Sequence, residues 1–109
     1  VRVVAGEIWD VAVDLRRGSP SFGRWAGIKL DALSHKMLWV PPGFAHGFVV
    51  LSELADVLYK ATDFYAPAHE RTLLWNDPAL AIPWPLAGEP VMTDKDRRGV
   101  QLAGAEKFD

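Results

Sequence analysis

The stretch WVPPGFAHGF, residues 39–48, decides how the middle of this chain folds. Proline fixes its φ angle and has no amide hydrogen, so a central strand cannot run through Pro41-Pro42. Gly43 can adopt backbone angles that let the chain turn back. Strand-like sequence resumes at Phe44 and continues to Leu51. The stretch therefore predicts a rigid corner followed by a short strand, on which His46 is well placed to face a cavity.

Upstream of this corner, residues 8–15 alternate as a strand with two different faces. Asp10 lies on the strand face opposite the apolar one, so its side chain points either to solvent or into a second, functional interior. We expect residues 1–4 to form a hairpin with this strand through a turn at residues 5–7. The apolar face, which predicts the core side, consists of Trp9, Val11, Val13 and Leu15.

Further strands are predicted at residues 22–33 and 55–64, separated by turns that are rich in glycine and proline. One helical turn is predicted near the C-terminus, with Thr93 as its N-cap and Asp96 at its third helical position. Many short strands with little helix indicate an all-β sandwich or barrel. We expect residues 1–109 to form a single domain.

The composition gives no electrostatic argument for binding nucleic acid or an anionic membrane. The 109 residues include 14 acidic and 12 basic side chains, for a net charge of −2. No apolar stretch is long enough to span a bilayer. The absence of cysteine excludes thiolate metal sites and suits a reducing cytoplasm.

Among the three histidines, only His46 has apolar and rigid surroundings, whereas His35 and His69 occur in polar turns or loops. From the residues alone, His46 is either a core histidine with a hydrogen-bond partner or a site residue, and Asp10 could be its partner from another strand. A metal centre would need several converging ligands. Since no second histidine lies within three residues of His46, we expect no metal.

Eight ordered motifs of this chain together resemble the dTDP-4-dehydrorhamnose 3,5-epimerase family. The resemblance implies a cupin-like jelly roll with a short C-terminal helical segment, usually assembled as a homodimer that exchanges strands. It also implies a site without a metal or a diffusible cofactor. The motifs are GEIWDVAVDLR (residues 6–16), GSPSFG (18–23), PPGFAHGF (41–48), LYK (58–60), DFYAP (63–67), WNDP (75–78), IPWP (82–85) and DKDR (94–97).

The resemblance implies inversion at carbons 3 and 5 of dTDP-4-dehydro-6-deoxy-D-glucose, giving dTDP-4-dehydro-β-L-rhamnose for dTDP-rhamnose biosynthesis. By motif position, Tyr59 corresponds to the tyrosine acid and Asp96 to the aspartate that orients the base histidine. The implied substrate-binding residues are His46, Asp10, Tyr65 and Lys95.

In the family, the base histidine lies in an Arg-Gly-Leu-His segment and a lysine that steadies the enolate follows it. Neither is present here, since the matching positions precede Val1. We therefore expect this chain to be the C-terminal part of the domain, truncated at its N-terminus and with little activity alone. Three alternatives stay open: a binding module that holds a nucleotide sugar without turnover, a mono-epimerase of another deoxysugar pathway, and a metal-dependent cupin.

Overall fold

The computed structural model describes residues 1–109 and contains five strands and one short α-helix. Two single-turn 3₁₀ helices, at Pro67–His69 and Leu102–Gly104, complete the regular structure. This mostly β architecture confirms the predicted fold class. The strands are β1 (Arg2–Ala5), β2 (Glu7–Asp14), β3 (Trp25–Asp31), β4 (Phe44–Val50) and β5 (Asp56–Leu58), and the helix is α1 (Asp94–Arg97).

The strands form two antiparallel sheets, one with the order β3-β2-β4 and the other consisting of β1 and β5. The predicted hairpin between residues 1–4 and β2 is therefore wrong. Val3 of β1 pairs with Val57 of β5, and Gly6, with φ of 76°, redirects the chain from one sheet into the other. Alternation alone predicted a strand but could not select its partner, because that choice depends on contacts across more than 50 residues.

β2 separates two apolar clusters because its side chains alternate between the faces of its sheet. On one face, Val11, Val13 and Leu15 pack with Leu80 of the C-terminal half, which confirms the predicted core face. The opposite face turns toward the β1–β5 sheet. Buried residues on that side are Val3, Ile8 and Leu30. Asp10 shares this second interior and is completely buried, so it does not point to solvent.

The corner predicted from the prolines is present. Gly43 has φ of 88°, and β4 begins at the next residue. A side chain at this position would also collide with a neighbour, because an ideal Cβ would lie 2.7 Å from Cγ of Arg16. Glycine is thus required both for the backbone angle and for the close approach.

Two predicted strands are shorter than expected. Of residues 55–64, only Asp56–Leu58 form a strand, because the ladder with β1 ends where Arg2 meets Leu58 and later residues have no partner strand. Of residues 22–33, those before Trp25 form a hydrogen-bonded turn instead. None of the helices has both the length and the apolar character needed to cross a bilayer.

Candidate functional site

A broad cleft of about 950 Å³ runs along β4, which is the outermost strand of its sheet. All seven residues of β4 line this cleft, so its wall includes the edge of the strand that no other strand covers. The facing walls come from residues 71–75, 90–93, 95 and 96. The proline corner and the pairing with β2 together set the position of this edge.

One residue of the cleft lining, His46, is hydrogen-bonded to Asp10, which is buried behind it. His46 lies opposite Ala12 of β2, so its side chain shares a face with Asp10. The His46 Nε2 and Asp10 Oδ1 atoms are 2.5 Å apart, with the His46 side chain 29% exposed. The carboxylate thereby holds the imidazole in one orientation and offers a charge-assisted hydrogen bond when Nε2 carries a proton. The second oxygen of Asp10, Oδ2, is buried and has no partner.

The helix α1 brings two further candidate residues to the same cleft, Lys95 and Asp96. The Thr93 hydroxyl accepts a hydrogen bond from the Asp96 backbone N–H at 3.3 Å, which confirms the predicted N-cap. The Lys95 ammonium donates a hydrogen bond to Glu70 Oε2 at 3.2 Å. This bond and the negative charge of Glu70 raise the pKa of Lys95.

The two tyrosines lie outside the cleft lining. Tyr59 follows directly after β5 and is 72% exposed, and Tyr65 is 82% exposed. The structure therefore brings His46, Lys95 and Asp96 to one cleft, with Asp10 buried behind His46, whereas Tyr59 and Tyr65 lie on a separate loop. The assignment of these residues to catalysis and substrate binding stays a prediction.

Sequence reasoning missed a buried polar cluster at the end of β2. Asp14 is almost completely buried and accepts hydrogen bonds from Nε and Nη2 of Arg16, both at 2.9 Å, and from the Ser21 hydroxyl. The Arg16 guanidinium, with additional hydrogen bonds from serines, holds the pKa of Asp14 well below its usual range. Arg16 also lies over the Phe44 ring, 4.8 Å from its centroid. The Asp-x-Arg spacing before a serine-rich turn was the available signal.

Metal binding finds no support in the arrangement of side chains. Among the 109 residues, no group of three or more histidines, aspartates or glutamates converges in a way that could hold a metal ion. The His46–Asp10 pair supplies at most two ligands, and the imidazole nitrogen nearest to the carboxylate is already engaged.

Comparison with known proteins assigns the family. The sequence profile of the family described as dTDP-4-dehydrorhamnose 3,5-epimerase matches residues 1–104. The chain belongs to this epimerase family. Its fold is the cupin-like jelly roll of the solved epimerases.

Alignments with individual relatives show how much of a family member's length this chain covers. The dTDP-4-dehydrorhamnose 3,5-epimerase of Pseudomonas aeruginosa is 58% identical over 108 residues, which are 99% of this chain and 60% of that protein. A Legionella pneumophila dTDP-6-deoxy-D-glucose-3,5-epimerase, solved in complex with dTDP-4-keto-L-rhamnose, is 47% identical with a TM-score of 0.93. That match covers 96% of this chain and 56% of the other.

A 3'-monoepimerase also has this fold. The Streptomyces bikiniensis enzyme, solved in complex with dTDP-quinovose, is 34% identical with a TM-score of 0.80, over 93% of this chain and 51% of its own. The chain thus spans 60%, 56% and 51% of the length of these three relatives.

Proposed function

We propose that the protein carrying this sequence is a metal-independent nucleotide-sugar 3,5-epimerase. Its substrate is dTDP-4-dehydro-6-deoxy-D-glucose, and its product, dTDP-4-dehydro-β-L-rhamnose, enters dTDP-rhamnose biosynthesis. The observation that carries this proposal is that His46, held by the buried Asp10, lines the same cleft as Lys95 and Asp96. Membership of the epimerase family supplies the reaction class.

The chemistry explains why such residues are needed. Carbons 3 and 5 both lie next to the C4 ketone, so each carries a proton that becomes removable when the resulting enolate is stabilised. Inversion needs a base on one face of the sugar ring and an acid on the other. We assign Tyr59 as the acid and Asp96 as the residue that orients the base histidine. None of the three histidines of this sequence forms a hydrogen bond with Asp96.

In this proposal the remaining site residues bind the nucleotide sugar. Lys95 supplies a cation at the rim of the cleft, which suits an anionic nucleotide sugar. His46, held by Asp10, offers its second ring nitrogen to a sugar oxygen. Tyr65 contacts the sugar and influences which carbon exchanges its proton. We further propose a homodimer and a cytoplasmic location, which suits a chain without cysteine.

Solvent-deuterium exchange tests the assignment of the acid. In D₂O, NMR of the dTDP-4-dehydro sugar should show deuterium entering carbons 3 and 5 when the protein carrying this sequence is added. We expect Tyr59→Phe to slow this exchange by about 100-fold, the range of a lost general acid. Tyr65→Phe serves as the matched variant and should change the ratio of exchange at the two carbons instead. Equal effects of the two substitutions would refute the separate roles.

The 109-residue chain by itself provides a second test. Because its histidines leave Asp96 without an imidazole partner, we expect exchange at least about 100-fold slower than in the protein carrying the base. Exchange by this chain at a normal enzymatic rate would show that the base has been misassigned. Product stereochemistry separates the 3,5-epimerase from a mono-epimerase, and tight dTDP-sugar binding without exchange by the whole protein would favour a binding module.

A further inference from the structure

The loop that carries both tyrosines, residues 59–69, has few connections to the rest of the molecule. Its hydrogen bonds are all local, such as those from the amides of His69 to Ala66 and of Phe64 to the Asp63 carboxylate. It leaves the β1–β5 sheet directly after Leu58. We refer to residues 59–69 as the tyrosine loop. Whatever holds this loop in place must act at its ends.

Two adjacent residues of opposite charge anchor the C-terminal end of the tyrosine loop. Glu70 accepts a hydrogen bond from Lys95 of α1, and Arg71 donates one to Glu106 at 3.1 Å, near the C-terminus. The partners are 25 and 35 residues away along the chain. Directly after this pair, the Thr72 carbonyl accepts a hydrogen bond from the Val100 amide. The loop therefore ends on a firm attachment to the segment that contains α1.

Two contacts join the tyrosine loop to the cleft: Arg71, in the cleft wall, donates a hydrogen bond to the Ala68 carbonyl, and Glu70 pairs with Lys95 of α1. Lys95 lines the cleft and adjoins Asp96, whereas Glu70 comes directly after the loop. The hydrogen bond to Glu70 and the charge of its carboxylate raise the pKa of Lys95. One carboxylate thus contacts a cleft residue and directly follows the tyrosine loop.

From this arrangement we propose that Glu70 is a positioning residue. Through its ion pair with Lys95 it holds the tyrosine loop against α1, so that Tyr59 and Asp96 keep a constant separation while protons are transferred. This inference rests on the proposed function for its catalytic consequence, but the ordering of the loop can be measured without any substrate.

Because both side chains of the Glu70–Lys95 pair are exposed to solvent, substituting one of them should leave the fold intact. The Lys95 side chain is 60% exposed and that of Glu70 is 38% exposed. Such pairs contribute little to the stability of a fold. Glu70→Gln should therefore fold normally while losing the charge that orders the loop. Glu53, an exposed glutamate of a turn without an ion pair, provides the matched control variant Glu53→Gln.

The experiment measures loop order and catalysis in the protein carrying this sequence. In Glu70→Gln, we expect lower heteronuclear ¹H–¹⁵N NOE values for residues 59–69 and a lower Lys95 pKa by side-chain NMR. We also expect kcat to fall on the order of tenfold with a smaller change in KM, since misplaced catalytic groups reduce rate more than binding. Glu53→Gln should change none of these quantities.

A charge exchange completes the test. The double variant Glu70→Lys with Lys95→Glu restores an ion pair and should restore the NOE values of the tyrosine loop. Unchanged NOE values in Glu70→Gln would overturn the inference, whatever the activity. If the unsubstituted protein lacks epimerase activity, the proposed function fails, while the NOE values still decide whether Glu70 orders the loop.

Discussion

Asp10 and Asp14 lie four residues apart on the same face of β2, yet their surroundings differ. Asp14 has guanidinium and hydroxyl donors on both oxygens, so its charge is fully compensated. Asp10 has one donor, the imidazole of His46, and one oxygen without a partner. A completely buried carboxylate with a hydrogen-bond donor on only one oxygen is destabilised more by the loss of that donor. The compensated charge of Asp14 stabilises the fold, whereas the unpartnered oxygen of Asp10 agrees with the binding role proposed for the Asp10–His46 pair.

The Asp10–His46 pair predicts an order of stabilities. His46→Ala should lower the free energy of unfolding by about 2 kcal/mol, because it leaves a buried carboxylate without its only donor. Asp10→Asn should cost about 1 kcal/mol or less, since a neutral amide can still bond to the imidazole. Urea denaturation measures both. A His69→Ala control, in an exposed position, should be neutral, and a larger loss in Asp10→Asn than in His46→Ala would contradict the order.

The lowered pKa of Asp14 predicts how stability depends on pH. The folded pKa lies well below the ordinary value of about 4, so at acidic pH the unfolded chain takes up a proton that the folded chain resists. The stabilisation is therefore complete above pH 4 to 5 and declines as the pH falls below that range.

Melting temperatures between pH 7 and pH 3 test this dependence. Asp14→Asn should melt lower than the unsubstituted chain at pH 7, and the difference should shrink toward pH 3, because the asparagine has no charge to lose. Asp109→Asn, which removes an exposed partner of Arg17, should leave the curve unchanged. A constant difference for Asp14→Asn across the pH range would exclude this linkage.

At the scale of elements, the start of β4 depends on the corner before it. Leu15 donates its amide hydrogen to the Gly43 carbonyl, which joins the end of β2 to the corner. Arg16 then packs against Gly43 and over the Phe44 ring. The Asp14–Arg16 cluster and the proline corner thus set the position of the strand that carries His46.

Gly43→Ala should therefore destabilise the chain. Alanine at φ of 88° costs about 1–2 kcal/mol, and the clash with Arg16 adds to that figure. Gly18→Ala provides the control, because an added Cβ at Gly18 meets no atom within 4 Å. Chemical denaturation compares the two variants. Equal midpoints would show that the corner tolerates a side chain and does not define the start of β4.

At the scale of the whole molecule, the outer edge of β4 and several apolar side chains remain uncovered. Val50 is half-exposed at the C-terminal end of this edge strand. An exposed strand edge with apolar neighbours favours pairing with another chain. We expect the isolated 109-residue chain to self-associate at micromolar concentration.

Substitution at the edge tests the source of this association. Val50→Lys should shift the isolated chain toward the monomer in size-exclusion chromatography with light scattering, because a charge on an edge strand opposes pairing. Leu33→Lys, at an equally apolar but more exposed position in a turn, should have a smaller effect. If both variants dissociate the chain equally, general surface hydrophobicity explains the association and the β4 edge does not.

Local features of the sequence determined the elements whose causes are local. The prolines and Gly43 place the corner before β4, Thr93 caps α1, and the alternation in β2 identifies its core face, because each effect acts within a few residues. Ordered motifs along the whole chain also identified the family. The sequence suggested Asp10 as a partner of His46 but did not decide whether the two side chains meet.

Only the tertiary structure decided which distant segments meet. It paired β1 with β5 instead of β2, ended β5 at Leu58 for lack of a partner, and buried Asp14 beneath Arg16. It also joined Glu70 to Lys95 across 25 residues. Contacts of this kind depend on the total burial and charge pairing of the folded chain, which no local pattern of residues records.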